Sequence, residues 1–545
     1  LYGLALLTYV KLLLVPSYRS TDFNVHRNWL AITRNLPLSS WYFDEGFDVG
    51  GTVHTLDYPP LFALFEWSLS SNPFTDWLIE REIVDGKCFD RLSDRDDLDP
   101  SESCVYFQRL TVIFSDFWLI FGTLFSSGAV VPTSNEGGRN IIAFLILTSP
   151  GLLILDHCHF QYNGGLLGIL LTSIGCVLRA DRHKMLMKTK EVRNVCSYHL
   201  FTVASAIFYS FLLTLKHLYI PLGPLYFNYF LFQYCYNDGA RKERKFSWFR
   251  FLGLAFFTLI SLLLPFVPFL QPPGDIKQLS QIFRRLFPFA RGLCHDYWAG
   301  NIWALYLGMN KVIFFVSKLR IVQHVPLVRS FIPIELPSVS PSTTAVLLLL
   351  SLLPAMYTSL RIGRLPRKKN SRKTLQVNPG LYFVHALAYC ALSGFMFSYH
   401  THEKAIMTAI IPLTLLATQS VSHARLYIRL SALGHFGLLP LLHEPMELVF
   451  KTSVCILHLM VAHSLLRKEV LMGAKKQLLT IHDLLLFIIL GVVWIFSEVI
   501  HPLYLKPHGV LLFLPLLVTS VVCATGHFLC WCQCYMLMMQ MVVIT

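Results

Sequence analysis

Residues 1–29 read LYGLALLTYVKLLLVPSYRSTDFNVHRNW, an apolar run followed within a few residues by an aspartate, a histidine, an arginine and a tryptophan. A complete membrane crossing takes about 20 residues. Because the run is short and the chain begins with Leu, we expect further residues upstream. Ionisable side chains at the edge of hydrocarbon are costly unless they are paired or line a wet cavity. The stretch therefore predicts a membrane span whose outer end carries functional side chains.

Apolar segments of this kind dominate the whole chain. Of its 545 residues, 54% are hydrophobic and 14% are charged, whereas soluble globular domains carry about a quarter charged residues. The mean hydropathy is +0.53. We therefore predict an all-α polytopic membrane protein. The net charge of +14 lies mainly in short loops between apolar segments, where it sets membrane orientation and does not indicate nucleic-acid binding.

The apolar segments predict about 14 transmembrane helices. They are 1–16, 108–131, 140–155, 162–178, 197–215, 219–236, 249–270, 342–360, 380–399, 404–419, 425–441, 445–465, 481–499 and 509–531. The basic loops at 179–194, 239–245, 361–374 and 465–476 all face the cytoplasm only if a weaker segment, 301–316, does not fully cross. We expect that segment to be re-entrant or to lie on the opposite surface.

The loops on the opposite face carry the chemically active side chains. They are 17–107, 156–163, 216–219, 285–301 and 399–405. A single such cluster would usually be an interfacial belt of solvated charges. Five clusters of Asp, His, Lys, Arg and aromatic residues on one face predict a shared active site instead.

Several chemistries lack their motifs in this sequence. The stretch HEKAI at 402–406 has no second histidine of the zinc signature, and CWCQC at 530–534 sits at the end of an apolar span. There is no nucleophile elbow and no Gly-rich phosphate loop. We therefore expect no metal and no cofactor. What remains is a carboxylate that can act as a base, cations that can hold a phosphate, and rings that can stack on sugars.

Five stretches, taken in order, resemble a known family. They are STDFNVHRNWLAIT (20–33), HTLDYPPLFALFEW (54–67), DHCHFQYNG (156–164), RLFPFARGLCHDYWAGNIWALY (285–306) and FMFSYHTHEKAI (395–406). Together they are similar to the endoplasmic-reticulum glucosyltransferases that use dolichyl-phosphate-glucose, which are C-type (GT-C) membrane glycosyltransferases. The motifs extend from the first span to about residue 420, and beyond that only the span pattern agrees.

The resemblance implies a domain organisation. A GT-C membrane module would occupy residues 1–420, and C-terminal transmembrane helices would occupy 421–545. The luminal catalytic loops implied for the module are 17–107, 156–163, 271–341 and 399–404.

The resemblance also implies an activity. It is an inverting glucose transfer in the endoplasmic-reticulum membrane, on the luminal side and without metal, with a lipid-linked donor and acceptor and no obligate protein partner. The first and fourth motifs look like the enzyme that adds the second glucose to the lipid-linked oligosaccharide. Its sibling that adds the first glucose is the alternative, and a mannosyltransferase of the superfamily is less similar. A polytopic transporter would more often place its ionisable residues near the bilayer midplane within repeats.

Residue roles are assigned on the same basis. The family places the general base on the acidic residue of the first luminal loop, which is Asp22. By position and charge, we predict that His402, Lys404 and Arg291 hold the donor phosphate. The candidates for sugar contact or loop positioning are Arg27, Trp29, Asp57, Tyr58, Asp156 and His157.

Structural alternatives stay open for these candidates. Arg27 could have no role beyond an ion pair with Asp22. Asp156 could have no role beyond capping a helix. Lys216 and His217 are weaker candidates, because basic side chains at span ends commonly extend toward water.

Residues 72–104 depart from the relatives of this family. The segment has ten acidic residues against four basic ones, so we expect a solvated luminal insertion or helix without a direct catalytic part. Cys88 and Cys104 could pair if the loop lies in an oxidising compartment, but their spacing alone does not decide it.

Overall fold

The computed structural model describes residues 2–49, 51–94, 98–132, 134–186, 192–238, 244–270, 276–294, 298–317, 336–364, 378–471, 477–509 and 511–543. These residues are mostly helical. The α-helices are α1 (Tyr2–Leu13), α2 (Thr21–Asn35), α3 (Pro60–Ser70), α4 (Pro73–Glu80), α5 (Glu102–Val130), α6 (Glu136–Leu147), α7 (Pro150–Leu152), α8 (Asn163–Leu186), α9 (Val192–Leu215), α10 (Gly223–Phe230), α11 (Trp248–Leu263), α12 (Ile276–Leu286), α13 (Ile302–Ser317), α14 (Pro341–Arg364), α15 (Pro379–Phe397), α16 (Met407–Thr414), α17 (Val421–Leu438), α18 (Leu448–Leu471), α19 (Ile481–Ile495) and α20 (Leu514–Val543).

Two short antiparallel hairpins complete the regular structure of the described residues. Strand β1 (Phe47–Val49) pairs with β2 (Thr52–His54), and β3 (Tyr236–Asp238) pairs with β4 (Arg244–Phe246).

Ten helical stretches among the described residues are long and apolar enough to cross a membrane. They are Glu102–Val130, Glu136–Cys158, Asn163–Leu186, Asn194–Leu215, Trp248–Leu270, Pro341–Gly363, Pro379–Phe397, Pro445–Leu471, Ile481–His508 and Leu514–Met541. The predicted all-α polytopic membrane fold is confirmed. The other four predicted spans fall on α1, α10, α16 and α17, which are shorter or more polar, so the count of about fourteen stays a prediction.

Two other predictions about topology remain open. The segment 301–316 forms the apolar 16-residue helix α13, and its re-entrant placement stays a prediction. Much of the predicted basic loops, at 187–191, 239–243, 365–377 and 472–476, lies outside the described residues.

The chain forms two compact units. The first contains Leu1–Pro288 with Asn378–Phe383, and the second contains Phe289–Ile362 with Val384–Thr545. The predicted division at residue 420 follows the family resemblance rather than compactness, and it stays a prediction.

Helices α5 and α8 form the centre of the first unit and approach each other at backbone distance. A Cβ atom built on Gly168 would lie 2.2 Å from the carbonyl of Trp118, and one built on Gly122 would lie 2.1 Å from the carbonyl oxygen of Gly168. Small residues allow membrane helices to pack this closely. The contact brings α8, with the loop that leads into it, directly against α5.

The long first loop packs on the outer side of α2. Asn28 Oδ1 accepts the Leu92 N–H at 3.0 Å, and a disulfide joins Cys88 to Cys104. Phe89 and both cysteines are buried in a small core with residues of α2 and α3.

The described acidic residues of 72–104 are mostly exposed, as expected of a solvated insertion, and so are Phe74, Trp77 and Ile83. The expectation is wrong only for the buried apolar residues from Val84 to Cys104.

The second unit is held by helix packing and by a few enclosed ion pairs. Arg429 of α17 pairs with Asp483 in the first turn of α19. Lys451 of α18 lies 2.7 Å from Glu498, in the helical stretch that follows α19. Charges taken out of water need such partners, so these pairs fix the helices on which they lie.

Candidate active site

Helix α2 begins directly after the first apolar run and carries Asp22 in its first turn. A helix N-terminus favours a carboxylate through the helix dipole. Ser20 occupies the N-cap position but makes no capping bond. Its hydroxyl instead contacts the carbonyl oxygen of His159 and lies 2.8 Å from His159 Nδ1. The start of α2 is thereby tied to the loop at 156–163.

That loop alternates polar and aromatic side chains. Phe160 and Tyr162 are buried, and Phe160 packs edge-on against Phe23, with ring centroids 5.1 Å apart. Phe160 has a φ of +78°, which is strained for a bulky residue and persists only where packing holds it. Gln161, between the two rings, is turned toward α2. The alternation was visible in HFQYN (159–163), but the sequence analysis did not use it.

Asp22 is held by two donors from this loop. Its Oδ2 accepts from Gln161 Nε2 at 2.7 Å and lies 3.1 Å from His159 Nδ1. The Asp22 side chain is 27% exposed. The carboxylate is therefore fixed in orientation and still reachable from solvent, as a general base must be.

Ser20 and Asp22 both contact the same nitrogen of His159. A carbonyl oxygen can only accept, so Ser20 donates its single proton to the carbonyl oxygen of His159. An ionised carboxylate can only accept, so in the tautomer with its proton on Nδ1 His159 donates to Asp22.

A second line of contacts extends from Gln161. Its Oε1 accepts from Asn163 Nδ2 at 2.9 Å, and Asn163 Oδ1 accepts from Lys216 Nζ at 3.0 Å. The Lys216 ammonium also lies 5.1 Å from the ring centroid of Tyr58. Lys216 is half-buried and turned inward, so the expectation that it extends toward water is wrong.

The LDYPP turn contributes two of the predicted residues. Burial raises the pKa of Tyr58 well above its usual value, and the charges of Asp57 and Asp22 raise it further. Both carboxylates therefore lie near the Tyr58 ring. Trp29 also packs on this ring, with centroids 4.9 Å apart, and donates to the Thr55 carbonyl at 3.2 Å. Because Trp29 is 2% exposed, it positions the turn and offers no open face to a sugar.

Asp156 has the structural role that the sequence left open. It accepts the backbone N–H groups of Asn163 at 3.1 Å and of Gly164 at 2.5 Å, which are the first residues of α8. It is 1% exposed. The geometry assigns Asp156 to capping α8 and not to sugar contact.

His157 is likewise an anchor. Its Nε2 lies 3.0 Å from Asp116 Oδ2, which Lys11 of α1 also contacts at 2.6 Å. Arg109 donates to the carbonyl oxygens of His157 and Cys158, both at 2.8 Å. Of the two roles predicted for His157, these buried contacts favour loop positioning.

Arg27 lies on a different face of α2 from Asp22. It is fully buried, and it donates to the Leu98 carbonyl at 2.8 Å. Of the two roles predicted for Arg27, the structure gives it loop positioning, since it ties α2 to the segment at 72–104.

The sequence analysis missed a buried pair one helical turn beyond Asp22. His26 Nδ1 lies 2.7 Å from Glu66 Oε1, which joins α2 to α3. Burial raises the pKa of Glu66, and the hydrogen bond with His26 opposes this effect. The His26 ring packs on Trp29 and Phe62. Its place four residues after Asp22 was the available signal, since such residues share a helix face.

The predicted phosphate ligands lie on two loops of the second unit that are tied together. His400 donates its backbone N–H to the Leu293 carbonyl at 2.9 Å, and its Nδ1 lies 3.0 Å from the Gly292 carbonyl. The His402 ring is 5.5 Å from that of His400. His402 and Lys404 are half-buried and Arg291 is exposed. The remainder of the fourth motif at 295–297 lies outside the described residues.

Three of the five predicted loops, 17–107, 156–163 and 216–219, therefore contact one another within the first unit. They contribute Asp22, Tyr58, the 156–163 loop and Lys216. The protein is therefore a polytopic membrane protein in which an oriented, partly exposed carboxylate lies at the end of an apolar segment. A transferase that acts at the membrane surface needs a site of this form.

Comparison with known proteins identifies the family. A profile of the ALG6, ALG8 glycosyltransferase family matches residues 7–534, and the chain belongs to this family. It is 34% identical to the dolichyl pyrophosphate Glc1Man9GlcNAc2 alpha-1,3-glucosyltransferase of Mus musculus, over 97% of this chain and 93% of that protein. It is 35% identical to the protein of the same name from Arabidopsis thaliana, over 97% and 96%. The predicted family and glycosyltransferase class are confirmed.

Proposed function

We propose that the chain transfers glucose from dolichyl phosphate glucose to a monoglucosylated high-mannose oligosaccharide on dolichyl diphosphate, through an α-1,3 bond. The names of relatives that match 97% of the chain support this acceptor and linkage. The first and fourth motifs support it from the sequence. The observation that carries the proposal is Asp22, a half-exposed carboxylate oriented by Gln161 and His159.

The reaction is a single displacement. Asp22 takes the proton of the acceptor hydroxyl as the hydroxyl oxygen attacks the anomeric carbon of glucose. The bond between that carbon and the phosphate oxygen breaks as the new bond forms, so the β-linked donor gives an α-linked product. Dolichyl phosphate leaves with the bonding electrons, and the proton stays on Asp22 until solvent removes it.

The leaving phosphate needs charge stabilisation more than it needs an acid. His402, Lys404 and Arg291 are the proposed groups, and the bonds between their two loops in the second unit support their joint use. Lysine and arginine are common phosphate ligands in proteins.

We place the reaction in the endoplasmic-reticulum membrane with the catalytic loops in the lumen. The disulfide between Cys88 and Cys104 lies in the same long loop as Asp22. Disulfides persist in oxidising compartments and are rare in the cytosol, which favours a luminal position for this loop.

The test is glucosyl transfer by the purified protein in nanodiscs, supplied with dolichyl phosphate glucose. Acceptors carrying no glucose and one glucose are compared for the wild type and Asp22→Asn. We expect transfer to the one-glucose acceptor, reduced by about 10²–10⁴-fold in Asp22→Asn. Asp76→Asn is the matched control, because Asp76 is an exposed aspartate of the same loop that pairs only at the surface with Arg34.

Two results would contradict parts of the proposal. Transfer to the glucose-free acceptor would assign the chain to the step that adds the first glucose. Wild-type activity in Asp22→Asn would remove Asp22 as the base and direct attention to Asp57.

A further inference from the structure

Three hydrogen bonds link Lys216 to Asp22 in series, and each is donated in the direction of Asp22. Lys216 Nζ donates to Asn163 Oδ1 at 3.0 Å, Asn163 Nδ2 donates to Gln161 Oε1 at 2.9 Å, and Gln161 Nε2 donates to Asp22 Oδ2 at 2.7 Å. The series begins at an ammonium group and ends at a carboxylate. Two neutral amides lie between them.

The orientation of the amides follows from their partners. Asn163 Nδ2 also lies 3.0 Å from Asp156 Oδ1. The Lys216 ammonium can only donate, so the oxygen of Asn163 must face it. The Asn163 amino group must then face Gln161, which turns the Gln161 amino group toward Asp22.

Aligned hydrogen bonds polarise one another, and the effect is larger in a low-dielectric environment. Gln161 and Asn163 are 8% and 6% exposed, so solvent screens this series only weakly. The positive charge of Lys216 therefore acts on Asp22 through two polarised amides, and it favours the ionised carboxylate.

We propose that Lys216, Asn163 and Gln161 form an amide relay that positions Asp22 and keeps it ready to accept a proton. They are positioning residues and need not touch the substrate. The inference deepens the proposed function, because it rests on Asp22 being the base of the glucosyl transfer.

Other charged and titratable groups also surround Asp22. They are His159 from the same loop, Asp57 and Tyr58 from the LDYPP turn, and Asp156 behind Asn163. The carboxylates of Asp57 and Asp156 oppose ionisation of Asp22, and the relay and His159 counteract this effect. A change at Lys216 should therefore be visible in the acid side of the pH–rate profile.

The test measures kcat, KM and the pH profile of kcat for Lys216→Met, Lys216→Arg and Gln161→Glu. Lys216→Met removes the charge, and we expect about a tenfold loss of kcat, a little-changed acceptor KM, and an acid limb moved to higher pH. Gln161→Glu places a second carboxylate beside Asp22 and should move the acid limb further. Lys216→Arg should restore most of the wild-type profile. Lys277→Met, at an exposed lysine of α12, is the control.

The outcomes separate the relay from the proposed function. An inactive Asp22→Asn together with a wild-type acid limb in folded Lys216→Met and Gln161→Glu overturns the relay alone. A raised donor KM without a moved limb in Lys216→Met overturns it too, since Lys216 would then be a donor ligand. An active Asp22→Asn overturns the proposed base and the relay with it. If thermal melting shows Lys216→Met to be unfolded, the nearly isosteric Gln161→Glu decides the question.

Discussion

The Nδ1 atom of His159 lies 3.1 Å from Oδ2 of Asp22 and 2.8 Å from the hydroxyl oxygen of Ser20. We predict that His159 donates to the base, because an ionised carboxylate can only accept. Because a donor favours the ionised carboxylate, His159→Phe should lower kcat by about tenfold and move the acid limb of the pH–rate profile upward. His159→Asn retains a donor and should lose less.

The measurement is the pH dependence of single-turnover glucosyl transfer, with Asp76→Asn as the surface control. Equal profiles for His159→Phe and the wild type would contradict a donor role for His159. A loss of melting temperature without any change of profile would reduce His159 to a packing residue.

The sequence predicted that polar stretches at the ends of apolar segments meet, and three of the five do so in the first unit. It did not predict how the stretches contact one another. Asp156 and His157 have the charge that chemistry needs, yet they support α8 and the loop. Gln161 and Asn163 are neutral members of the same polar stretch to which no role was assigned, although they contact the base and its cation. Residue type alone does not distinguish these roles, which depend on the strained turn at Phe160.

The disulfide between Cys88 and Cys104 is predicted to stabilise the long first loop. The bond closes a loop with a sequence separation of 16, for which chain entropy predicts a stabilisation of about 3 kcal/mol. The double substitution Cys88→Ser/Cys104→Ser should therefore melt at lower temperature than the wild type. After reduction of the disulfide, the wild type should melt at the same temperature as this double variant. Cys196→Ser, which alters an exposed free cysteine, should melt like the wild type in both conditions.

The close approach of α5 and α8 predicts that Gly168 tolerates no side chain. A Cβ there would lie 2.2 Å from the Trp118 backbone, so Gly168→Ala must push the helices apart. We expect the free energy of unfolding, measured by reversible unfolding in detergent, to fall by about 1–3 kcal/mol. Gly128→Ala is the matched control on α5, because nothing lies within 4 Å of its added Cβ. Equal stability of the two variants would show that the helices separate at little cost.

The lowered pKa of His217 predicts that the stability of the protein depends on pH. Burial and the charge of Lys216 lower the pKa of His217 from its usual 6.5 to about 4. Above pH 6.5 the imidazole is neutral in both states and its contribution to stability is complete. Between pH 6.5 and 4 the unfolded chain binds a proton that the folded chain does not, so stability falls by about 1.4 kcal/mol per pH unit.

The check compares melting temperatures of the wild type and His217→Phe from pH 7.5 to 4.5. Phenylalanine does not titrate and can keep the ring contact with Phe287, whose centroid lies 5.3 Å from that of His217. The wild type should lose stability more steeply than the variant as the pH falls. Parallel curves would mean that His217 is solvated and titrates normally.

Lys404, in the second unit, is a proposed ligand of the donor phosphate. Lys404→Met should raise the KM for dolichyl phosphate glucose and lower kcat, because the cation acts on the phosphate both before and during departure. Lys404→Arg keeps the charge and should recover part of both values, although the larger guanidinium group fits differently. Arg291→Met should have the smaller effect, since Arg291 is exposed whereas Lys404 is half-buried. Lys311→Met, at an exposed lysine of α13 in the same unit, is the control. A change confined to the acceptor KM in Lys404→Met would move Lys404 from the donor to the acceptor side of the reaction.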